Sequence, residues 1–328
     1  MNMRHLITSL LSSLILLSPI AGAQSGSQSS AQFPDKPIRL IVAYAPGGAT
    51  DIVARMLAQE LTPILGQSVI VENRAGGGTL VGTDSIKRAN PDGYSLLFGT
   101  NAFVITPLLH NTPTYDPVKD FSAVSQTTIQ PLGLLVTPGL NINTVEQLLD
   151  YAKKNPGKLN FASSGNGSAQ HLAGESFRVA AGIDLVHVPY KGAGPALIDL
   201  LAGRVDMMFT SLVGNSEHIK EGRLVLVATS GVKRGSATPD VPTVAQTLPG
   251  FEAYTWQGVI APAGTPVAVV EKLNAAIKKV GAIPKFYEKL AAQGMEVQTS
   301  SPAEFKARLA GDATKYKELL QRTQTSIR

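Results

Sequence analysis

The sequence predicts an α/β protein of two lobes. Apolar runs of strand length alternate with amphipathic helical segments from Phe33 onward. One strand in each half ends in a glycine-rich turn that opens a helix. The chain has 328 residues, more than one typical domain of roughly 100–200 residues.

The first strand is Pro37 to Tyr44, a nearly continuous apolar run of the kind buried on both faces of a parallel sheet. Pro46-Gly47-Gly48 breaks it. Ile52, Val53, Met56, Leu57 and Leu61 then recur at helical spacing, with Asp51 in the first turn, where the helix dipole favours an anion. A second strand, Ser68 to Glu72, meets Asn73-Arg74-Ala75-Gly76-Gly77-Gly78 and a short helix through Arg88. After the turn Asn90-Pro91-Asp92-Gly93, Tyr94 to Phe98 is a third strand, ending at Gly99-Thr100-Asn101.

Leu132 to Val136 begins the second set. Thr144-x-x-Gln147 reads as a capping box, and its helix stops at Asn155-Pro156-Gly157. Lys158 to Ala162 is a strand feeding Ser163-Ser164-Gly165-Asn166-Gly167-Ser168 and a helix from Ala169. Asp184 to Val188, Val205 to Phe209 and Leu224 to Ala228 complete this set, and Val188 to Pro195 reads as a loop. Trp256 to Ala261 follows, then a helix opened by Thr265-Pro266. Gly294 sits at a helix C-terminus, and Ser301-Pro302-Ala303-Glu304 is a capping box with proline at the first helical position.

The two glycine-rich turns, Tyr44 to Asp51 and Ser163 to His171, are counterparts. Turns at the carboxyl ends of strands in two α/β lobes would form opposite walls of a cleft, where open sheets of this class bind ligands. Helix N-terminal N–H groups there hold carboxylate or phosphate without a cationic side chain. The alternative is a pair of plain tight turns. Gly76-Gly77-Gly78 with Gly82 is not the dinucleotide spacing, and no G-x-x-x-x-G-K-[ST] is present.

Ser168 and His171 stand three apart near a helix start, so an exported hydrolase is a competing reading. Against it, no G-x-S-x-G elbow and no orienting acid can be named. The plainer reading makes Ser168 a helix cap and leaves His171 bonded to backbone or within the cleft. Mature histidines 110, 171, 187 and 218 form no metal-ligand spacing, so no metal and no cofactor is expected. Asp51 and Asp206 read as caps of backbone N–H groups ahead of ligand contacts. Lys191 is solvated or faces a ligand, and Trp256 is a core residue.

Composition sets further bounds. Apolar residues make up 44% and charged residues 16%, so a core can form and disorder is excluded. There is no cysteine, which removes disulfides, thiolate metal sites and thiol nucleophiles. The net charge is +5, but basic residues never run beyond two and no aromatic platform interleaves with them, so no nucleic acid is expected. Arg4, the apolar stretch from Leu6 to Leu17 and Ala21-Gly22-Ala23 read as a secretory signal peptide cut after Ala23, which implies export. Residues 24–32 read as a flexible leader, and without cysteine no lipid anchor follows.

Five segments carry a resemblance: FPDKPIRLIVAYAPGGATDIVAR (33–55), VIVENRAGGGTLVGTDSIKRANPDGYSLLFGT (69–100), NFASSGNGSAQHLAGE (160–175), VPYKGAGPALIDLLAGRVDMMF (188–209) and PDVPTVAQTLPGFEAYTWQGVIAPAGTP (239–266). In them the chain resembles the Bug proteins, periplasmic solute-binding components of tripartite tricarboxylate transporters. The resemblance implies a type II periplasmic binding fold: two α/β lobes joined by a hinge, with a ligand cleft between them. Lobe 1 would be 33–130 plus 252–328, and lobe 2 would be 131–251. It implies no catalysis, a small carboxylate ligand (a di- or tricarboxylate, an amino acid or an aromatic acid), two membrane transporter subunits as partners, and a monomer. Carried onto this chain, the first-lobe turn would bind through Tyr44, Ala45, Pro46, Gly47, Gly48 and Asp51. The second-lobe turn would bind through Ser163, Ser164, Gly165, Ser168 and His171, with Thr100, Asn101, Tyr190 and Thr210 completing the cleft. A ligand sensor for a membrane signalling partner remains a third reading.

Overall fold

The computed structural model describes residues 33–110 and 113–323. The expected signal peptide and leader lie outside the described residues.

The apolar run after Pro37 becomes β1 (Ile38–Val42), whose neighbours bury four of its five residues. The chain continues through α1 (Ala49–Leu65), β2 (Val69–Asn73), α2 (Leu80–Lys87), β3 (Ser95–Thr100), α3 (Ala102–Leu109) and β4 (Phe121–Pro131). A second set follows at once: β5 (Gly133–Val136), α4 (Val145–Lys154), β6 (Asn160–Ser163), α5 (Ala169–Ala181), β7 (Val186–Pro189), α6 (Ala193–Leu201), β8 (Met207–Thr210), α7 (Ser216–Lys220), β9 (Val225–Thr229) and α8 (Val244–Thr247). The chain then returns through β10 (Tyr254–Pro262), α9 (Val267–Gly281), α10 (Pro284–Ala291), β11 (Glu296–Val297) and α11 (Pro302–Thr323).

These strands make two sheets with one plan. The first runs β11-β4-β10-β3-β1-β2 and the second β7-β6-β8-β5-β9. In each, the first βα strand pairs in parallel with the two that follow it, β1 with β2 and β3, β6 with β7 and β8. In each, an antiparallel strand from a crossing segment lies next, β10 or β5. The carboxyl ends of β1 and β6 therefore sit at equivalent places, each followed by a helix N-terminus. The crossing is made by β4 and β10, paired antiparallel with Gln130 opposite Thr255 and Pro131 opposite Tyr254. The lobes also share apolar packing. Leu172 of α5 joins the cluster of Phe103, Leu109 and Trp256, and Val213, just past β8, packs on the first-lobe core.

Strand and helix bounds differ from expectation by a residue or two, the short α7, α8 and β11 were not expected, and there are larger differences elsewhere. The longest strand, β4, was not expected, because FSAVSQTTIQP carries too many polar residues for a buried run. Those residues are nonetheless buried, and they bond across the crossing: the Thr127 and Thr128 hydroxyls donate to the Gln257 backbone carbonyl and Oε1, at 3.0 and 3.1 Å. α3 contains Pro107 and is apolar nearly all round, so it shows no helical period. The expected loop at Val188 to Pro195 holds the end of β7 and the start of α6. The end of α10 near Gly294 was expected, but its separate start was missed, although Pro284 marks its first turn.

Candidate ligand-binding cleft

Where the two glycine-rich turns meet, the lobes enclose a cavity of about 40 Å³, room for a few water molecules. Its first-lobe wall is Tyr44, Ala45, Gly48, Ala49, Thr50, Asp51 and Thr100. Its second-lobe wall is Ser164, Ser168, Ala169, Gln170, Ala193 and Ser211. Gln130, Leu132, Thr255 and Gln257 form the base, on or beside the crossing strands.

Three helices begin on this cavity. Ala49 and Thr50 are the first residues of the 17-residue α1, and its N-cap, Gly48, offers no side-chain cap. Ala193 opens the 9-residue α6 behind Gly192, which offers none either. Ala169 and Gln170 open the 13-residue α5, where Ser168 caps only the His171 N–H, at 3.1 Å. The first N–H groups of a helix have no partner inside it, and each N-terminus carries about half a positive charge. Neither lysine nor arginine lines the cavity.

The one charged lining residue is already occupied. Asp51 accepts from the Gly47 N–H at 3.1 Å, from Asn73 Nδ2 at 2.9 Å and from Arg55 at 2.9 Å. Burial works against its charge, but the bonds from Arg55, Asn73 and Gly47 outweigh that and hold its carboxyl below the ordinary range. Asp51 thus shapes the turn rather than presenting a charge to a ligand. Tyr44 is a neutral donor or acceptor: burial pushes its phenol up to about 12, despite bonds to Thr100 and Ser164. Its hydroxyl lies 2.8 Å from Thr100 Oγ1.

The walls touch at two rims. On one, the Ala45 N–H donates to the Lys191 carbonyl at 2.8 Å. Close approach there depends on glycine, since a Cβ on Gly194 would lie 2.4 Å from the Pro46 carbonyl oxygen. On the other, a Cβ on Gly78 would lie 2.7 Å from the Asn166 carbonyl oxygen, and one on Gly167 would lie 2.8 Å from Thr106 Oγ1. The cleft is closed in this structure.

Of the residues expected in the site, Tyr44, Ala45, Gly48, Asp51, Thr100, Ser164 and Ser168 line the cavity. Pro46 and Gly47 stand at the rim against Gly194. Asn101 braces the crossing instead: its Oδ1 accepts the Trp256 N–H at 3.0 Å and the Thr255 hydroxyl at 2.9 Å. Ser163, fully buried, bonds His187 Nε2 at 2.7 Å and accepts the Gly165 N–H at 3.1 Å behind the wall, while Gly165 stands at the rim, where a Cβ on it would lie 3.9 Å from Gly78 Cα. Tyr190 donates to Asp199 at 2.7 Å, and Thr210 Oγ1 accepts from Gln170 Nε2 at 3.1 Å. The His171 ring is engaged elsewhere: its Nδ1 accepts the Gly167 N–H at 3.2 Å, its ring stacks on His187 at 4.1 Å, and the Ser168 hydroxyl bonds the His171 backbone N–H instead. The serine–histidine pair needed by the hydrolase reading is therefore not formed. Gln130, Gln170, Ser211, Thr255 and Gln257 were missed. Their one sequence signal is polarity within or beside runs that fold as buried strands, except for Gln170, which opens α5 within the expected second turn.

The tripartite tricarboxylate transporter family receptor model matches residues 53–324. The chain belongs to that family. Solved structures agree with this receptor along its length. BugD, a periplasmic binding protein, is 35% identical, with a TM-score of 0.87 over 90% of this chain and 99% of its own. An R. palustris protein solved with adipate is 30% identical, with a TM-score of 0.87 over 90% and 99%. MatC from Rhodopseudomonas palustris, with bound malate, is 30% identical, with a TM-score of 0.83 over 88% and 100%. The receptor is thus a periplasmic solute-binding protein by family and not an enzyme. Its two α/β sheets are those of its periplasmic binding neighbours.

Proposed function

We propose that this receptor captures a small carboxylate between its lobes and presents it to the two membrane subunits of its transporter. The observation that carries the reading is the meeting of three helix N-termini on a cavity that no lysine or arginine lines. A carboxylate taken out of water must recover its hydrogen bonds, and backbone N–H groups at helix starts supply them together with a favourable dipole. The adipate and malate bound in the two related structures support the same ligand class.

In this reading the lobes are 33–130 with 252–328, and 131–251, and they hinge on the β4–β10 crossing. Binding draws the two rims together. The receptor works as a monomer in the periplasm after removal of residues 1–23, without cofactor and without nucleic acid. A thermal-shift screen of C3–C8 mono- and dicarboxylates, malate, succinate and adipate among them, tests the ligand class. At least one acid raises the melting temperature in a concentration-dependent way. A screen in which no acid does, with no solute co-purifying by native mass spectrometry, removes the reading.

A further inference from the structure

At the base of the cavity one polar group lacks a partner. Gln130 is 2% exposed, and its Nε2 makes no hydrogen bond. The orientation of the amide follows from the network around it. Ser211 Oγ donates to Gln130 Oε1 at 2.9 Å and accepts the Val213 N–H at 3.0 Å. That leaves the NH2 end as donor. The neighbouring acceptors are engaged: Ser211 Oγ by Val213, and Gln257 Oε1 by the Thr128 hydroxyl. Gln130 also borders a larger groove behind the crossing, but Ser211, which holds its amide oxygen, lines the cleft cavity and not that groove.

A buried amide donor left unpaired costs free energy, and sites built this way reject molecules that cannot satisfy them. We propose that Gln130 is a specificity-determining residue whose side-chain NH2 donates to a second oxygen acceptor of the bound carboxylate. The ligand carboxylate meets the helix N-termini of the walls, and a further carboxylate, carbonyl or hydroxyl oxygen reaches the base. This inference rests on the carboxylate reading above and deepens it. It sets Gln130 apart from the Gly-rich turns: they recognise what all carboxylates share, and Gln130 recognises what a simple alkyl acid lacks.

Titration calorimetry on the full mature chain tests it with matched pairs, succinate against butanoate and adipate against hexanoate. Wild type prefers the diacid of at least one pair by about tenfold or more. Gln130→Glu keeps an oxygen for the Ser211 hydroxyl and loses the donor, so diacid binding falls by about tenfold or more. Gln130→Leu removes the donor without adding charge and brings the diacid-to-monoacid ratio toward one. If either variant fails to fold, as read by its thermal melt, the other carries the test. An unchanged ratio in the folded variants, or a wild type that binds monoacid and diacid equally, overturns the role of Gln130 and leaves the carboxylate reading standing. A wild type that binds no acid in the wider screen removes both.

Discussion

His171 and His187 show how much of the cleft wall depends on groups that never touch a ligand. Burial pushes the His171 imidazole down to about 4, and burial with the neighbouring His171 pushes His187 down to about 3. Both are neutral when folded, and His171 Nδ1 must stay unprotonated to accept the Gly167 N–H. In the unfolded chain each takes a proton near the ordinary value of 6.5. Their contribution to stability is therefore complete above that value and is lost as the pH falls toward 4 and 3. The wild-type melting temperature should drop more steeply between pH 7 and pH 4.5 than that of a His171→Gln, His187→Gln double variant, by about 5 °C. Parallel curves would show that the pair is not what titrates. Little of this was legible in the sequence. Ser168 as a cap and Asp51 as a turn-former could be read from spacing to a helix start. The stacking of His171 on His187 joins residues of α5 and β7, and the open end of Gln130 depends on a serine 81 positions away.

Among elements, the buried parallel strands were the easiest to foresee and the crossing strands the hardest. β1 and β3 are apolar because both of their faces are covered, and such runs stand out. β4 hides its polar residues in bonds to β10, so its pattern resembles a loop until its partner is known. α6 illustrates a different gap, since Gly192-Ala193-Gly194-Pro195 looks like a turn and is in fact a helix start pressed on the opposite lobe. That contact gives a test of closure. Gly194 is the second residue of α6, where alanine is tolerated as well as glycine. Gly194→Ala should leave the fold as stable as before in urea. Yet its Cβ would meet the Pro46 carbonyl oxygen at 2.4 Å, so the rims cannot close. Affinity for whichever acid the screen identifies should fall tenfold or more, and the radius of gyration with ligand, measured by small-angle scattering, should stay larger than that of liganded wild type. Wild-type affinity in this variant would mean that closure at this rim is not coupled to binding.

At the scale of the whole molecule, the chain repeats one strand order in two sheets and turns the equivalent ends toward each other. The two-lobed α/β class and the facing turns were legible because each half repeats strand, turn and helix. The depth of the cleft was not, because its base belongs to the crossing. Closure joins two kinds of surface. Leu172 and Val213 carry apolar contact between the lobes, while the cavity keeps uncapped helix starts for a ligand. The account turns on whether those starts select charge. Isothermal titration of wild type with malate, succinate and adipate, each beside its uncharged diamide, measures this most directly. The account predicts that at least one acid binds and that its diamide, nearly the same in shape, binds at least tenfold more weakly. Equal binding of acid and diamide, or binding of neither across the three pairs, would contradict it.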